Sequence, residues 1–149
     1  MLKLIGFDAD DTLWHSEGFY REVHGQFERI LGQYIDIGNA VVHDHLLEVE
    51  RANIKLFGYG AKGMTLSMLE TAVAMTSERI SARHLHEIIQ LGKEVLTHPV
   101  ELLDGIAEAV AEVSREYQVV LITKGDLFHQ ESKVAKSGLA SLFGRIEIV

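Results

Sequence analysis

The chain has 149 residues, 14 basic and 22 acidic side chains, a net charge of -8 and no cysteine. That length allows one buried core, or a small core with an insertion, and the acidic balance speaks against a protein that grips a nucleic-acid backbone. Without thiols there is no disulfide scaffold, thiol catalysis or cysteine-ligated zinc; with no apolar leader and no run near the ~20 residues of a membrane helix, a soluble, cytoplasmic protein is expected.

Residues 3 to 7 are apolar apart from Lys3, the pattern of a buried parallel strand. The strand runs straight into Asp8, Asp10 and Asp11, in the stretch FDADDTL. Helical spacing then takes over. Phe19, Val23, Phe27 and Ile30 form one stripe, and Val42, Leu46, Val49 and Asn53, widened by Ile54 and Leu56, a second. Met64, Met68, Ala72 and Met75 form a third, and Leu85, Ile88, Ile89, Gly92, Val95 and Leu96 a fourth. LFGYGAKG, residues 56–63, reads as a turn-rich loop between the second and third.

The pattern changes at Pro99, the one proline. Ile106, Ala109, Val110 and Val113 mark a helix starting near Leu102. Residues 118–122, QVVLI, read as a second buried strand, and Thr123-Lys124-Gly125-Asp126 as a turn. A helix is expected over 127–137, capped by Asp126 and closed by Gly138, and a third strand over 145–149. The pattern predicts an α/β protein. Residues 1–13 and 99–149 make strand-helix-strand units of a parallel sheet, and residues 14–98 an all-helical insertion. Ligands of open parallel sheets sit beyond the carboxyl ends of the strands, so the insertion starts where a lid would.

Two carboxylates sharing a pocket repel unless a proton or a metal lies between them. Mg2+ suits that need, because it prefers hard oxygen donors. Asp8 could attack phosphorus, and Asp10 could protonate a leaving group and later take a proton from water. Thr12 would hold the turn, and Asp11 has no evident role. If the second strand neighbours the first, the Thr123 hydroxyl and the Lys124 and Gly125 backbone N–H groups could hold a phosphate near Asp8. The plainer alternative is a solvated acidic turn.

FDADDTL resembles the first motif of the haloacid dehalogenase superfamily, Asp-x-Asp-x-Thr-Leu after an apolar strand, and ITKG resembles its second. The resemblance implies a Rossmann-like core with a helical cap, and Mg2+-dependent phosphomonoester hydrolysis of a small phosphorylated metabolite through an aspartyl-phosphate. It makes Asp8 the nucleophile and Asp10 the general acid/base. The Asp8 carboxylate and the Asp10 backbone carbonyl would bind Mg2+, and Thr123 the phosphoryl group. Dehalogenases of the superfamily lack the second aspartate, so Asp10 favours a phosphatase over a 2-haloacid dehalogenase. A phosphonatase would need a cap lysine, for which Lys55 and Lys62 are unmarked.

The family's third motif, a lysine after the third strand, and its fourth, an acidic pair after the fourth, have no counterpart here. Lys133 and Lys136 come too early and are expected on a solvated helix face. The chain is therefore expected to be a fragment, to borrow the rest of its core from another chain, or to be a short form with little turnover that serves as an interaction module. An unpaired edge on the first strand would then invite a homo-oligomer or a missing C-terminal segment.

Trp14, His15, Tyr59 and Lys62 are the candidate substrate contacts. His43 and His45, like His84 and His86, are two apart and diverge by about 200° on a helix, which argues against a histidine metal site. The methionine stripe reads as cap core. A phospho-receiver domain is disfavoured by the helical insertion and by a third strand without an aspartate.

Overall fold

The computed structural model describes residues 3–36 and 38–149. Residues 1 and 2 of the expected core segment and residue 37 of the expected insertion lie outside that range. The chain divides into two units, Phe19–His98 and Met1–Gly18 with Pro99–Val149.

The second of these is an α/β unit. Its strands are β1 (Leu4–Phe7), β2 (Gln118–Thr123) and β3 (Arg145–Ile148), all parallel, in the order β1-β2-β3. Leu4 pairs with Gln118 and Phe7 with Leu121, so the two strands end side by side. Among the described residues β1 pairs with β2 alone and forms an edge of the sheet. Val119 and Leu121 are buried with Ala9, Leu13, Val110 and Val134. The expectation of strands buried throughout is corrected here. Side chains alternate between faces, and on the other face Leu4 and Ile122 are half exposed.

Among the described residues, three α-helices begin or lie in this unit. α1 (Glu17–Leu31) starts in it and continues into the helical unit, while α5 (Ile106–Glu116) and α6 (Leu127–Ser137) lie within it. α5 starts later than its periodicity suggests, because residues 101–103 are engaged elsewhere. Glu101 accepts from the His15 N–H at 2.9 Å, Leu103 donates to the Leu13 carbonyl at 2.9 Å, and Leu102 bridges to Trp14. Gly105, at φ 74°, then turns the chain into the helix. Asp126 caps α6 by accepting from the His129 N–H at 2.9 Å, and Gly138 closes it in the left-handed region.

The helical unit contains the rest of α1, α2 (Asn39–Phe57), α3 (Ala61–Met75) and α4 (Ala82–Thr97). The four stripes expected from the sequence supply its core, with Val23, Phe27, Leu46, Met68 and Ile88 almost wholly buried, but Leu56 and Ile89, expected in the second and fourth, are exposed. Each such side chain contributes about 1.5–3 kcal/mol relative to exposure. The loop expected over 56–63 shrinks to residues 58–60. Gly58 and Gly60 reverse the chain at φ 75° and 107°, which leaves the flanking residues helical.

Candidate active site

The site forms where β1 and β2 end together. After Phe7 the chain makes a tight turn. The Ala9 carbonyl accepts from the N–H groups of Thr12 (3.1 Å) and Leu13 (2.8 Å), and the Asp11 N–H donates to the Trp14 carbonyl at 2.7 Å. Ala9 and Leu13 are fully buried and anchor the turn in the core. Thr12, expected to hold the turn, contributes its backbone N–H.

Asp8 and Asp10 line one concavity of about 360 Å³, together with Ile122, Thr123, Lys124 and Val149. Asp8 is exposed and Asp10 half-buried. Asp11, at φ 59°, caps the start of α1, its carboxylate accepting from the N–H groups of Ser16 (2.9 Å) and Glu17 (3.0 Å). The third carboxylate, without a role in the sequence, therefore holds a helix end and its partial positive charge.

Three side chains converge on Asp10. The Lys133 ammonium lies 2.6 Å from Oδ1, and the Trp14 indole N–H donates to the same oxygen at 2.8 Å. Gln130 Nε2 donates to Oδ2 at 3.0 Å. Lys133 and Gln130 sit three residues apart on one face of α6. Burial alone would raise the Asp10 pKa; the hydrogen bond and charge of Lys133, with Trp14 and Gln130, outweigh it and hold the carboxyl below its ordinary 3.8. The solvated face expected for Lys133 is corrected, since its side chain is only 12% exposed and ion-paired. Lys136 is exposed, as expected.

Thr123 is 2% exposed, and its hydroxyl lies 3.0 Å from Gln130 Nε2. The Lys124 carbonyl accepts from the same nitrogen at 2.8 Å. Gly125 does not offer the N–H expected of it, because it donates to the Val149 carbonyl at 3.2 Å. His129, beside Gln130, is buried. Desolvation and the nearby Lys133 lower its pKa against the opposing pull of Asp10 and Asp126.

The candidate substrate contacts fall in both units. Trp14 is 1% exposed, with its indole N–H on Asp10, so it supports the site from beneath rather than facing a ligand. His15 is exposed beside the acidic turn. Tyr59 and Lys62 are exposed in the helical unit, in the α2–α3 turn and the first turn of α3.

Asp8 and Asp10 supply hard oxygen donors of the kind Mg2+ takes. The Asp10 carboxylate already accepts from three donors, so its backbone carbonyl is the better ligand. Among the described residues no group of three or more His, Asp or Glu is placed to hold a metal ion.

Sequence reasoning missed Gln130 and misread Lys133. The signal was faint, two polar residues at helical spacing just after the threonine-ended strand. Their partner Asp10 is 120 residues from Gln130.

A family model described as haloacid dehalogenase-like hydrolase matches residues 2–148. A haloacid dehalogenase-like family hydrolase from Xanthomonas campestris is 56% identical, with a TM-score of 0.93 over 99% of this chain and 61% of its own. This chain thus spans less than two thirds of that protein. Two more distant structures share the fold. A HAD-hydrolase from Bacillus subtilis bound to magnesium is 15% identical, with TM-score 0.57 over 99% of this chain and 63% of its own. An L-2-haloacid dehalogenase from Xanthobacter autotrophicus with chloropropionic acid covalently bound is 18% identical, with TM-score 0.52 over 100% and 57%. Among curated proteins, none matches the chain.

Proposed function

This chain belongs to the haloacid dehalogenase-like hydrolases, and on that premise we propose that it carries the phosphate-handling site of a Mg2+-dependent phosphomonoesterase acting on a small phosphorylated metabolite. The observation that supports this most is the meeting of Asp8, Asp10 and Thr123 at one concavity. An Asp8 carboxylate oxygen attacks phosphorus, and the bond from phosphorus to the ester oxygen breaks. Asp10 gives its proton to that departing oxygen. Water then attacks the aspartyl-phosphate while Asp10 takes a proton from it, which releases phosphate and restores Asp8.

The charged Asp10 held by Lys133 is the base that the second half needs. An anionic phosphate arriving beside it raises its pKa and favours the protonated form that the first half needs. Mg2+, held by the Asp8 carboxylate and the Asp10 carbonyl, would offset the charge of phosphate against Asp8. A halide is a weak base and needs no proton, so the care taken to hold Asp10 favours an ester over a carbon–halogen bond. His15, Tyr59 and Lys62 are the proposed substrate contacts, and the helical unit the proposed cap.

The test is Mg2+-dependent phosphate release from p-nitrophenyl phosphate, with Asp8→Asn as control. A loss on the order of 10⁴-fold or more is expected. Wild-type turnover in Asp8→Asn would remove Asp8 as nucleophile.

A further inference from the structure

We propose that Gln130 is a positioning residue for this chemistry, one that ties the Asp10 carboxylate to the Lys124 carbonyl at the end of β2 and selects Oδ2 of Asp10 as the oxygen that transfers the proton. The proposal rests on the phosphomonoesterase reading above.

The amide of Gln130 is unusually placed for a packing residue. It is 2% exposed, and its Nε2 lies within hydrogen-bond distance of Asp10 Oδ2, Thr123 Oγ1 and the Lys124 carbonyl, at 3.0, 3.0 and 2.8 Å. A carboxylate and a carbonyl can only accept, so the nitrogen, not the oxygen, must face this cluster. Oε1 is left buried with no partner among the described residues. Buried amides with one half unanswered are rare, and packing alone gives no reason for this one.

The neighbouring loop is shaped around the same side chain. A Cβ on Gly125 would lie 3.0 Å from Gln130 Cγ and 3.1 Å from Cδ, and Gly125 sits at φ 143°, which other residues rarely adopt. Its missing side chain makes room for Gln130, whereas its N–H is taken by Val149. Nε2 has two hydrogens for these three neighbours; Asp10 Oδ2 and the Lys124 carbonyl can only accept and take both, so the Thr123 hydroxyl lies beside the amide without being held by it.

The two oxygens of Asp10 are held differently. Oδ1 receives both Lys133 and Trp14, which fills the two acceptor positions of a carboxylate oxygen. Oδ2 receives only the amide of Gln130 and keeps a position for the proton. That proton passes from Oδ2 to the ester oxygen as its bond to phosphorus breaks. In the second half a water proton returns to Oδ2 as the bond between Asp8 and phosphorus breaks.

A positioned acid matters most where the leaving group is a strong base. The test compares kcat and KM of the protein and of Gln130→Leu and Gln130→Met, with Mg2+, on an alkyl phosphate and on p-nitrophenyl phosphate. Melting temperatures identify which variants fold. Expected is a fall in kcat of about 10–100-fold on the alkyl ester and under about 3-fold on the nitrophenyl ester, with KM little changed. Glu131→Ala, exposed on α6, should leave both rates unaltered. Equal losses on both substrates in a folded variant, or no loss on either, would overturn the role of Gln130. A wild-type protein that hydrolyses neither ester overturns the phosphomonoesterase reading itself, and the role of Gln130 with it.

Discussion

The two units differ in where their side-chain hydrogen bonds converge. In the helical unit several serine and threonine hydroxyls bond within one turn. Ser67 donates to the Gly63 carbonyl, Thr65 to Ala61 and Thr76 to Ala72, all one turn back, and Asn53 reaches across to Ser67 and Glu70. Such bonds remove the penalty of burying a hydroxyl or amide and aim at nothing further. In the α/β unit Gln130 and Lys133 reach 120 and 123 positions back to one half-buried carboxylate. Local satisfaction makes a scaffold, and long-range convergence on one titratable group makes a site.

The contrast can be broken by experiment, because Trp14 is the only tryptophan and lies in the α/β unit. Its fluorescence reports that unit, while circular dichroism is dominated by the helices. Phe27→Ala should cost the helical unit about 3–5 kcal/mol and shift the urea midpoint seen by circular dichroism. If Trp14 fluorescence shifted equally, the two units would be one cooperative body and the contrast would fail. Gly92→Ala should cost about 1–3 kcal/mol in the same readout. Its Cβ would meet Thr65 Cγ2 at 2.8 Å and Cβ at 2.9 Å, and the Thr65 hydroxyl is already bonded to Ala61.

In the α/β unit Asp11→Ala should cost about 0.5–2 kcal/mol through the lost cap. Asp11→Asn should cost less, since asparagine also caps and tolerates φ 59°. Thermal melts of the two variants decide this. The smallest effect is on pH. The folded state lowers the His129 pKa, so the unfolded chain binds more protons below the ordinary 6.5. The Trp14-reported stability should fall as pH drops through and below that value, and His129→Gln should flatten the slope. Asp10 is also depressed, so its contribution is present above 3.8 and is lost as pH falls further.

Most elements were legible because each rests on local periodicity. The four helical stripes, the Thr123-ended strand and the Asp126 cap need only near neighbours to be recognised. The loop expected over 56–63 is too long, because two of its turn residues, Gly58 and Gly60 at positive φ, suffice to reverse the chain. Asp11 was left without a role because the amides it caps are five and six residues ahead, across the turn.

The sequence by itself determined the α/β pattern, the helical segment and the pairing of Asp8 with Asp10, since those follow from side chains close along the chain. The tertiary structure alone decided which donors hold Asp10, that Gly125 yields room rather than an N–H, and that Lys133 is paired rather than solvated. Those facts depend on β1 and β2 lying in register, Phe7 beside Leu121, which brings α6 to a carboxylate more than a hundred residues away.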